Sequence, residues 1–586
     1  MCAINGFNWQ DQGLGEKMNT VTAHRGPDGT DTYSDAGVTL GHNRLAIIDP
    51  DARANQPMTS ADGRYVIVYN GELYNFKDIK RDIGNYNWRS ESDTEVILAA
   101  YVKWGSAMLQ KFNGIFAMAI WDKEKQEIFL ARDQMGVKPL YYYSQNSKFI
   151  FSSEIKAILE HASVSRKLNM EAFTHYMRLL YVPAPYTLFQ NIRKFPSAHY
   201  GIVKDGKLIL TRYWHLGVRP LSEKKNPDEL RVFVNRAVER QLVSDKPLGL
   251  YLSGGIDSST VLAAMSSVRS SINTFSVGFK LSEGEQSEKF NADFELARRT
   301  AKHFGTSHHE ILVKESDLIK SLENSIWHLD EPIANSTIIP QLILSKFAKK
   351  YADVALTGDG GDELFGGYPR YLKSRLLDYS PIPVSVEKRV ARFMFQKDNV
   401  LSRVINPEYF NQPITLQFFK NSFEKFDGNL TEGLMRTDRQ NWLVDEALMR
   451  TDKLNMAHGV EARVPFLDRE LVEYAATIPI NQKVSLFNTK IILREAFMKD
   501  LPDFLFNQPK RGFFSPGAKW LRRPEFSKFV KYVCNQDYYQ PTKDLFNFKN
   551  LKIIIDNHTN GSEYNLNIIW AVLSFQIWAK RYRISL

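Results

Sequence analysis

Two cysteines in 586 residues are too few for a disulfide framework, so nothing points to an oxidising compartment. The chain has no stretch of about 18 apolar residues, and no membrane-spanning helix is expected. Its first residues, MCAINGFNWQDQ, lack the basic and apolar regions of a signal peptide, which makes the cytoplasm the expected location. Runs of five or six basic residues are also missing, and a net charge of +10 spread over this length reads as solvated surface rather than a nucleic-acid site. The lysine of a G-x-x-x-x-G-K-S/T phosphate loop is absent as well. What is present is ordinary: 43% hydrophobic and 24% charged residues, with a length that predicts two or more domains.

The chain is organised around Pro247 to Met265, PLGLYLSGGIDSSTVLAAM. Leu248, Leu250 and Leu252 predict a buried strand, and Thr260 to Met265 a helix capped by Ser258 or Ser259. Between them, Ser253-Gly254-Gly255-Ile256-Asp257-Ser258-Ser259 offers free N–H groups and a helix N-terminus to a phosphate-sized anion. Asp257 puts a carboxylate into that nest, which makes sense if a magnesium ion bridges it to phosphate oxygens.

Downstream, strands alternate with helices: strand Ile272 to Phe279, helix Phe294 to Phe304, strand from His308, helix Ile338 to Tyr351, strand Val354 to Thr357. This pattern predicts a mostly parallel sheet with ligands at the carboxyl ends of its strands. The triplet His308-His309-Glu310 falls on a strand, where neighbouring side chains point to opposite faces and could not share a metal. A second loop, Thr357-Gly358-Asp359-Gly360-Gly361-Asp362-Glu363, sets three carboxylates so close that they would repel one another without a cation.

The first half is different. Cys2, after removal of Met1, could supply thiol and amine, nucleophile and base, from one residue. His24 to Gly29 is a rigid turn, Gly41 to Ile48 a strand carrying Arg44, and Tyr65 to Tyr69 a strand ending in Asn70-Gly71-Glu72-Leu73-Tyr74-Asn75. Ser92-Asp93-Thr94-Glu95 caps a helix, and Phe116 to Trp121 and Glu127 to Ala131 form a strand pair. Many short strands predict a sheet-rich domain. Taken singly, Arg44 could be a surface ion pair, Asn70-Gly71 a hairpin turn and Asp93 a helix cap.

Together, C-A-I, H-R-G-P-D-G, R-L-A-I-I, N-G-E-L-Y-N and S-D-T-E occur in the order of the class II glutamine amidotransferase domain, an N-terminal-nucleophile hydrolase, over roughly residues 2 to 200. The string S-G-G-I-D-S-S resembles the pyrophosphate loop of the ATP pyrophosphatases. With T-G-D-G-G-D-E, Thr451 to Asp468, Thr489 to Glu495 and Lys510-Arg511-Gly512-Phe513, the chain resembles the glutamine-hydrolysing asparagine synthetase family over nearly its whole length.

The resemblance implies an α+β N-terminal-nucleophile hydrolase sandwich over residues 2–215. An α/β parallel-sheet ATP-pyrophosphatase domain with a helical C-terminal part would follow over residues 228–586. It implies that Cys2 attacks glutamine, that Asn70 and Gly71 form the oxyanion hole, and that Arg44 holds the α-carboxylate. Leu45, Ile47, Ile48, Glu72 and Asp93 would complete the glutamine site. ATP would meet Leu252, Ser253, Gly254, Gly255, Asp257, Ser258, Val277, Thr357 and Gly358, with Asp257 and Asp362 on Mg2+ and Lys490, on a helix, stabilising the adenylate and pyrophosphate. The implied partners are glutamine, ATP and a carboxylate acceptor, with a homodimer possible and an enclosed passage for ammonia.

The acceptor stays open. Asp330 to Thr337 lies where acceptor recognition is expected, relatives often have aspartate where Asn335 stands, and residues 328 to 345 contain no Arg or Lys. Aspartate would need a cation from elsewhere in the chain. The alternative acceptor is another carboxylate, such as a uronic acid of a surface polysaccharide. β-Lactam synthetases share the second domain but lack the Cys2 nucleophile, and a scaffold without activity would show gaps in the motif set.

Overall fold

The computed structural model describes residues 2–217, 223–281, 290–380, 384–410, 413–423, 429–508, 512 and 514–586. Met1, Lys510, Arg511 and Phe513 therefore lie outside the described residues.

Residues up to Arg212 build two six-stranded sheets that pack face to face. The first runs in the order 192–194, 141–145, 148–152, 3–7, 38–44, 29–35, and the second 207–212, 199–204, 127–132, 114–122, 65–73, 58–59. The paired strands are antiparallel throughout. Strand periodicity assigns the layers. Val66 and Val68 pack with Ile4, Leu40 and Phe151 between the sheets, while Ile67 and Tyr69 turn outward to Val96, Ile97 and Ala100 of the Asp93–Trp104 helix. The result is a helix-flanked antiparallel sandwich, the layered arrangement expected for residues 2–215.

Two predicted boundaries shift. The Val38–Arg44 strand stops at Arg44, so Leu45, Ile47 and Ile48 lie in the irregular segment after it rather than in a strand. The Tyr65–Leu73 strand continues through Asn70 and Gly71, which pair with Ala117 and Phe116. Asn70-Gly71 is no hairpin; the neighbouring strand supplies the partners that a turn would have left exposed.

The second half is built on a five-stranded parallel sheet in the order 307–313, 273–279, 248–251, 354–356, 461–463. The chain enters at the centre with Leu248–Tyr251, winds out through two strands, and then returns to the other side. That reversal creates a crevice at the carboxyl ends of Leu248–Tyr251 and Val354–Leu356, the two strands that precede the glycine-rich loops. His308 and His309 sit on opposite faces: one ring reaches the Thr274 hydroxyl at 2.9 Å, and the other stacks on Tyr351. Among the described residues no helix is long and apolar enough to cross a membrane.

The Leu566–Tyr582 helix is apolar on every side, and Trp570, Phe575 and Trp578 are buried, so it reads as a core element. It packs against the first domain's Met170–Leu179 helix, with Phe173 and Phe575 rings 5.0 Å apart and the Tyr176 hydroxyl donating to Ala571 O at 2.8 Å. A seam of buried charge joins the domains as well. Arg25 reaches Asp452 at 2.8 Å and Glu154 at 3.2 Å, Lys138 reaches Asp452 at 3.3 Å, and Asp330 lies 2.8 Å from Lys156 and 2.6 Å from Lys453. Asp330 also accepts the Ile155 and Lys156 amides. Burial opposes its charge, but the two lysines hold its pKa below the ordinary carboxylate value.

Removing one member of such a cluster strands the opposite charges out of water. Asp330→Asn should therefore cost about 3–5 kcal/mol, read as a lower first unfolding midpoint in a thermal melt. An unchanged melt would mean that the seam contributes no net stability.

Candidate active sites

Cys2 is buried directly before the Ala3–Phe7 strand, and its N–H donates to Asn70 Oδ1 at 3.0 Å. That bond fixes the Asn70 amide. Nδ2 is buried and donates to no protein atom. An orphaned donor beside a thiol is costly unless something else accepts from it. Gly71 follows in the strand, and a Cβ there would lie 2.1 Å from Ile115 O, so only glycine lets the backbone come so close. Burial raises the Cys2 thiol pKa, with the Leu45 N–H and Arg44 opposing. A free amine as proton acceptor matters more in such a setting than a pre-formed thiolate.

Arg44 is occupied locally. It donates to Asp51 O at 2.9 Å, Asn55 Oδ1 at 2.7 Å and Asp49 O at 2.5 Å, clamping the loop that follows its strand. The helix cap is Ser92, not Asp93; Asp93 instead accepts the Leu73 N–H at 2.9 Å, and burial pushes it up to about 6. Burial and the neighbouring Glu461 push Glu72 well above the ordinary value, against the pull of Arg463. Cys2, Asn70, Gly71, Glu72 and Asp93 thus gather around one buried site.

In the second domain the helix after Ser253-Gly254-Gly255 begins at Ile256, with Gly255 as its N-cap, four residues earlier than predicted. The hydroxyl expected as a cap goes back to the loop: Ser258 Oγ accepts the Ser253 N–H at 3.2 Å. Asp257 therefore projects from the first helical turn. Gly254 has φ +72°, and a Cβ on it would meet Asp293 O at 2.5 Å. Leu252 is tied into the sheet through both backbone groups, to Phe275 O and the Ser276 hydroxyl, and Val277 is half-buried in the next strand.

The second loop locks against the first. A Cβ on Gly361 would sit 2.6 Å from Asp257 Oδ1. Thr357 N–H donates to Arg463 O at 2.9 Å, and the Thr357 and Thr451 hydroxyls both donate to Asp359. Glu363 is pushed up to about 8 by burial and by Asp362, and it accepts the Tyr368 hydroxyl at 2.6 Å. Of the three acids, Asp362 is the one that meets Asp257, and the cation between them is Lys490, whose Nζ lies 2.5 Å from a carboxylate oxygen of each.

Lys490 is not on a helix face. It is the N-cap of Ile491–Ala496, in left-handed backbone with φ 54°, a conformation that a non-glycine residue holds only when its surroundings impose it. Both loops and Lys490 thus converge at the crevice predicted by the strand order.

The sequence reading missed Arg450 and Glu446. A π-helical turn, Leu443–Leu448, points Glu446 inward, where it accepts from Asn335 Nδ2 at 2.9 Å and from Arg450 Nε at 3.2 Å. Arg450 Nη1 also donates to Gln341 at 2.6 Å, and its charge faces Asp359. The visible signal was the helix register: Arg450 immediately precedes the Thr451 to Asp468 motif. Strand Glu461–Arg463, the fifth of the parallel sheet, also went unpredicted, because three residues are too short for a periodicity.

Comparison with known proteins agrees with this geometry. The glutamine amidotransferase domain model matches residues 1–214, and the asparagine synthase model matches residues 229–580. The chain belongs to the asparagine synthase family. Glutamine-hydrolysing asparagine synthetase 1 of Bacillus subtilis is 31% identical over 602 residues, covering 96% of this chain and 93% of its own. A similarly named protein of Methanocaldococcus jannaschii is 33% identical over 516 residues, covering 78% and 98%. An amidase of Gibberella zeae is 27% identical over 633 residues, covering 91% and 92%. This family consists of ATP-using ligases with a glutamine amidotransferase domain, and a crevice with two glycine-rich loops fits that chemistry.

Lys490→Met would leave Asp257 and Asp362 facing each other without their cation. Acceptor-dependent pyrophosphate release should fall by about a hundredfold or more, measured with a coupled pyrophosphate assay. Activity near that of the unsubstituted chain would remove Lys490 from the chemistry.

Proposed function

We propose that the protein converts aspartate, glutamine and ATP to asparagine, glutamate, AMP and pyrophosphate. Cys2 attacks the glutamine side-chain carbonyl, its amine carrying the proton to the leaving ammonia. Asn70 Nδ2 and the Gly71 N–H take the charge of the tetrahedral intermediate, a role supported by the orphaned Nδ2. Water then releases glutamate. Arg44, whose terminal nitrogens now hold the loop after its strand, would exchange part of that contact for the α-carboxylate, and Glu72 and Asp93 would supply negative charge for the α-amine.

In the other domain the aspartate side-chain carboxylate attacks the α-phosphate of ATP, expelling pyrophosphate and leaving an acyl-adenylate. Ammonia displaces AMP from that adenylate. Because ammonia protonates in bulk water at neutral pH, an enclosed route across the buried interdomain seam is part of this reading. The nucleotide lies over Ser253, Gly254, Gly255, Ser258 and the strand ends at Leu252, Val277, Thr357 and Gly358.

Two carboxylates that already converge on one cation suit Mg2+, a hard cation that takes one or two carboxylates and completes its shell with water and phosphate oxygens. Asp257 and Asp362 would hold it, and Mg2+ would neutralise charge on the phosphates. Lys490 would then face the phosphates directly.

Arg450 carries the choice of acceptor. Aspartate needs a cation for its α-carboxylate, none lies within residues 328 to 345, and Arg450 reaches Asn335's partner Glu446 and Gln341 from outside that segment. Glu446 would take the α-amine. This largely enclosed pair suits a small zwitterion better than a sugar polymer.

An acceptor screen with labelled ATP tests the reading: aspartate should stimulate formation of AMP and pyrophosphate and appear as asparagine. ADP and phosphate, or no stimulation by aspartate, would reject it. Cys2→Ala should abolish glutamine-dependent synthesis and leave synthesis from ammonium salts intact; glutamine hydrolysis by the variant would reject the nucleophile. Arg450→Gln should raise the aspartate KM by about tenfold to a hundredfold, for loss of a charge-assisted bond, with a smaller change for ATP. An equal change in both constants would argue against the α-carboxylate role.

A further inference from the structure

Arg463 belongs to the second domain, yet one nitrogen of its guanidinium faces the first. Its Nε holds Glu461 at 2.5 Å, and its Nη1 donates to Gln241 O at 2.7 Å and Val243 O at 2.6 Å. The remaining fork nitrogen, Nη2, has no hydrogen-bond partner; the Glu72 oxygen facing it, Oε2, has none either. These two orphans lie 3.6 Å apart, on side chains 0% and 6% exposed. The pair sits one residue from Gly71 on one strand, and on the other it shares a residue with the carbonyl that anchors Thr357.

We infer that Arg463 is a positioning residue for glutamine: supplied by the synthetase domain, its free fork nitrogen faces Glu72 and orients that carboxylate to receive the substrate's α-ammonium group. The inference rests on the proposed glutamine reading and adds to it a residue that the amidotransferase domain does not contain. The glutamine site is then complete only when the two domains are docked.

The charges around Glu72 make the arrangement responsive. Glu461, Asp93, Cys2, Tyr69 and Tyr74 face it with negative charge or with groups that can acquire it, and Arg463 opposes them. Burial works against ionisation of Glu461 too, but Arg463 and Lys138 help to hold its pKa below the ordinary carboxylate value. Arg463 is thus shared between two buried carboxylates, one firmly ionised and one readily protonated. Protonated Glu72 has no charge to offer an ammonium group. Glutamine should therefore bind more weakly as pH falls.

Two substitutions should move that limb in opposite directions. Arg463→Met removes the cation, raises the Glu72 pKa and shifts the rise in glutamine KM to higher pH. Glu461→Gln removes the competing anion, lowers the Glu72 pKa and shifts the rise to lower pH. On the acid limb, moving the profile by about one pH unit changes KM by roughly tenfold, with kcat changing less than KM. Arg463→Lys retains the charge without the planar fork and should lie closer to the unsubstituted protein than Arg463→Met does.

The measurement is glutaminase KM and kcat against pH for the full chain and the three variants. Opposite shifts with partial rescue by lysine support the inference. Shifts in the same direction, no shift, or lysine as impaired as methionine would overturn it and leave Arg463 a packing residue. Should the methionine variant not fold, the lysine and Glu461→Gln profiles carry the test alone. Failure of the glutamine reading itself would show first, as absence of glutaminase activity in the unsubstituted chain.

Discussion

The two-domain arrangement depends on charge taken out of water. Arg25, Lys138, Lys156 and Lys453 meet Glu154, Asp330 and Asp452 at an interface where none of these side chains is more than 2% exposed. Such groups are a liability in either domain alone, because each half would bury or expose an unbalanced set. Docked, they satisfy one another, and the directional fork of Arg25 admits little variation in how the halves meet. Apolar packing around the Leu566–Tyr582 helix supplies adhesion, while the ionic seam supplies register. The proposed passage of ammonia between two sites would need both.

The second domain treats the carboxylates of its two glycine-rich loops in the same way. Asp257 and Asp362 arrive from different strands and could not approach without a cation. Lys490 occupies that position by adopting a backbone conformation that few lysines tolerate. Glycines at 358 and 361 remove the side chains that would have kept the two loops apart. Strain, missing side chains and a buried lysine thus act together at one point, the carboxyl ends of the central strands. Asp359 and Glu363, equally acidic in the sequence, are instead absorbed by hydroxyl donors.

The motifs made much of this legible. Glycine-rich loops and the C-A-I start identify their chemistry by residue type, and alternation of strands and helices gave the parallel sheet. Less legible was anything set by partners distant in sequence. Helix start at Ile256 was misplaced because the Ser258 hydroxyl accepts from the Ser253 N–H rather than serving as a cap. Asn70-Gly71 has the composition of a turn and became strand because the Gly114–Asp122 strand lies beside it. Arg450 reaches the Asn335 segment through a π-helical turn that no periodicity reveals. The Arg463–Glu72 approach joins residues of two domains, and local spacing carries no trace of it.

The Leu566–Tyr582 helix has a consequence for biosynthesis. Its aromatic face covers the Met170–Leu179 helix of the first domain, which emerges from the ribosome nearly 400 residues earlier, as the 395-residue separation of the Tyr176–Ala571 pair shows. At translation rates of about 5–20 residues per second, that apolar surface waits for tens of seconds without its cover. The first domain can form its sheets in that interval, but it must shelter Phe173 and Tyr176 by other means. A nascent chain of this design is thus a natural client for chaperones that hold exposed aromatic surface.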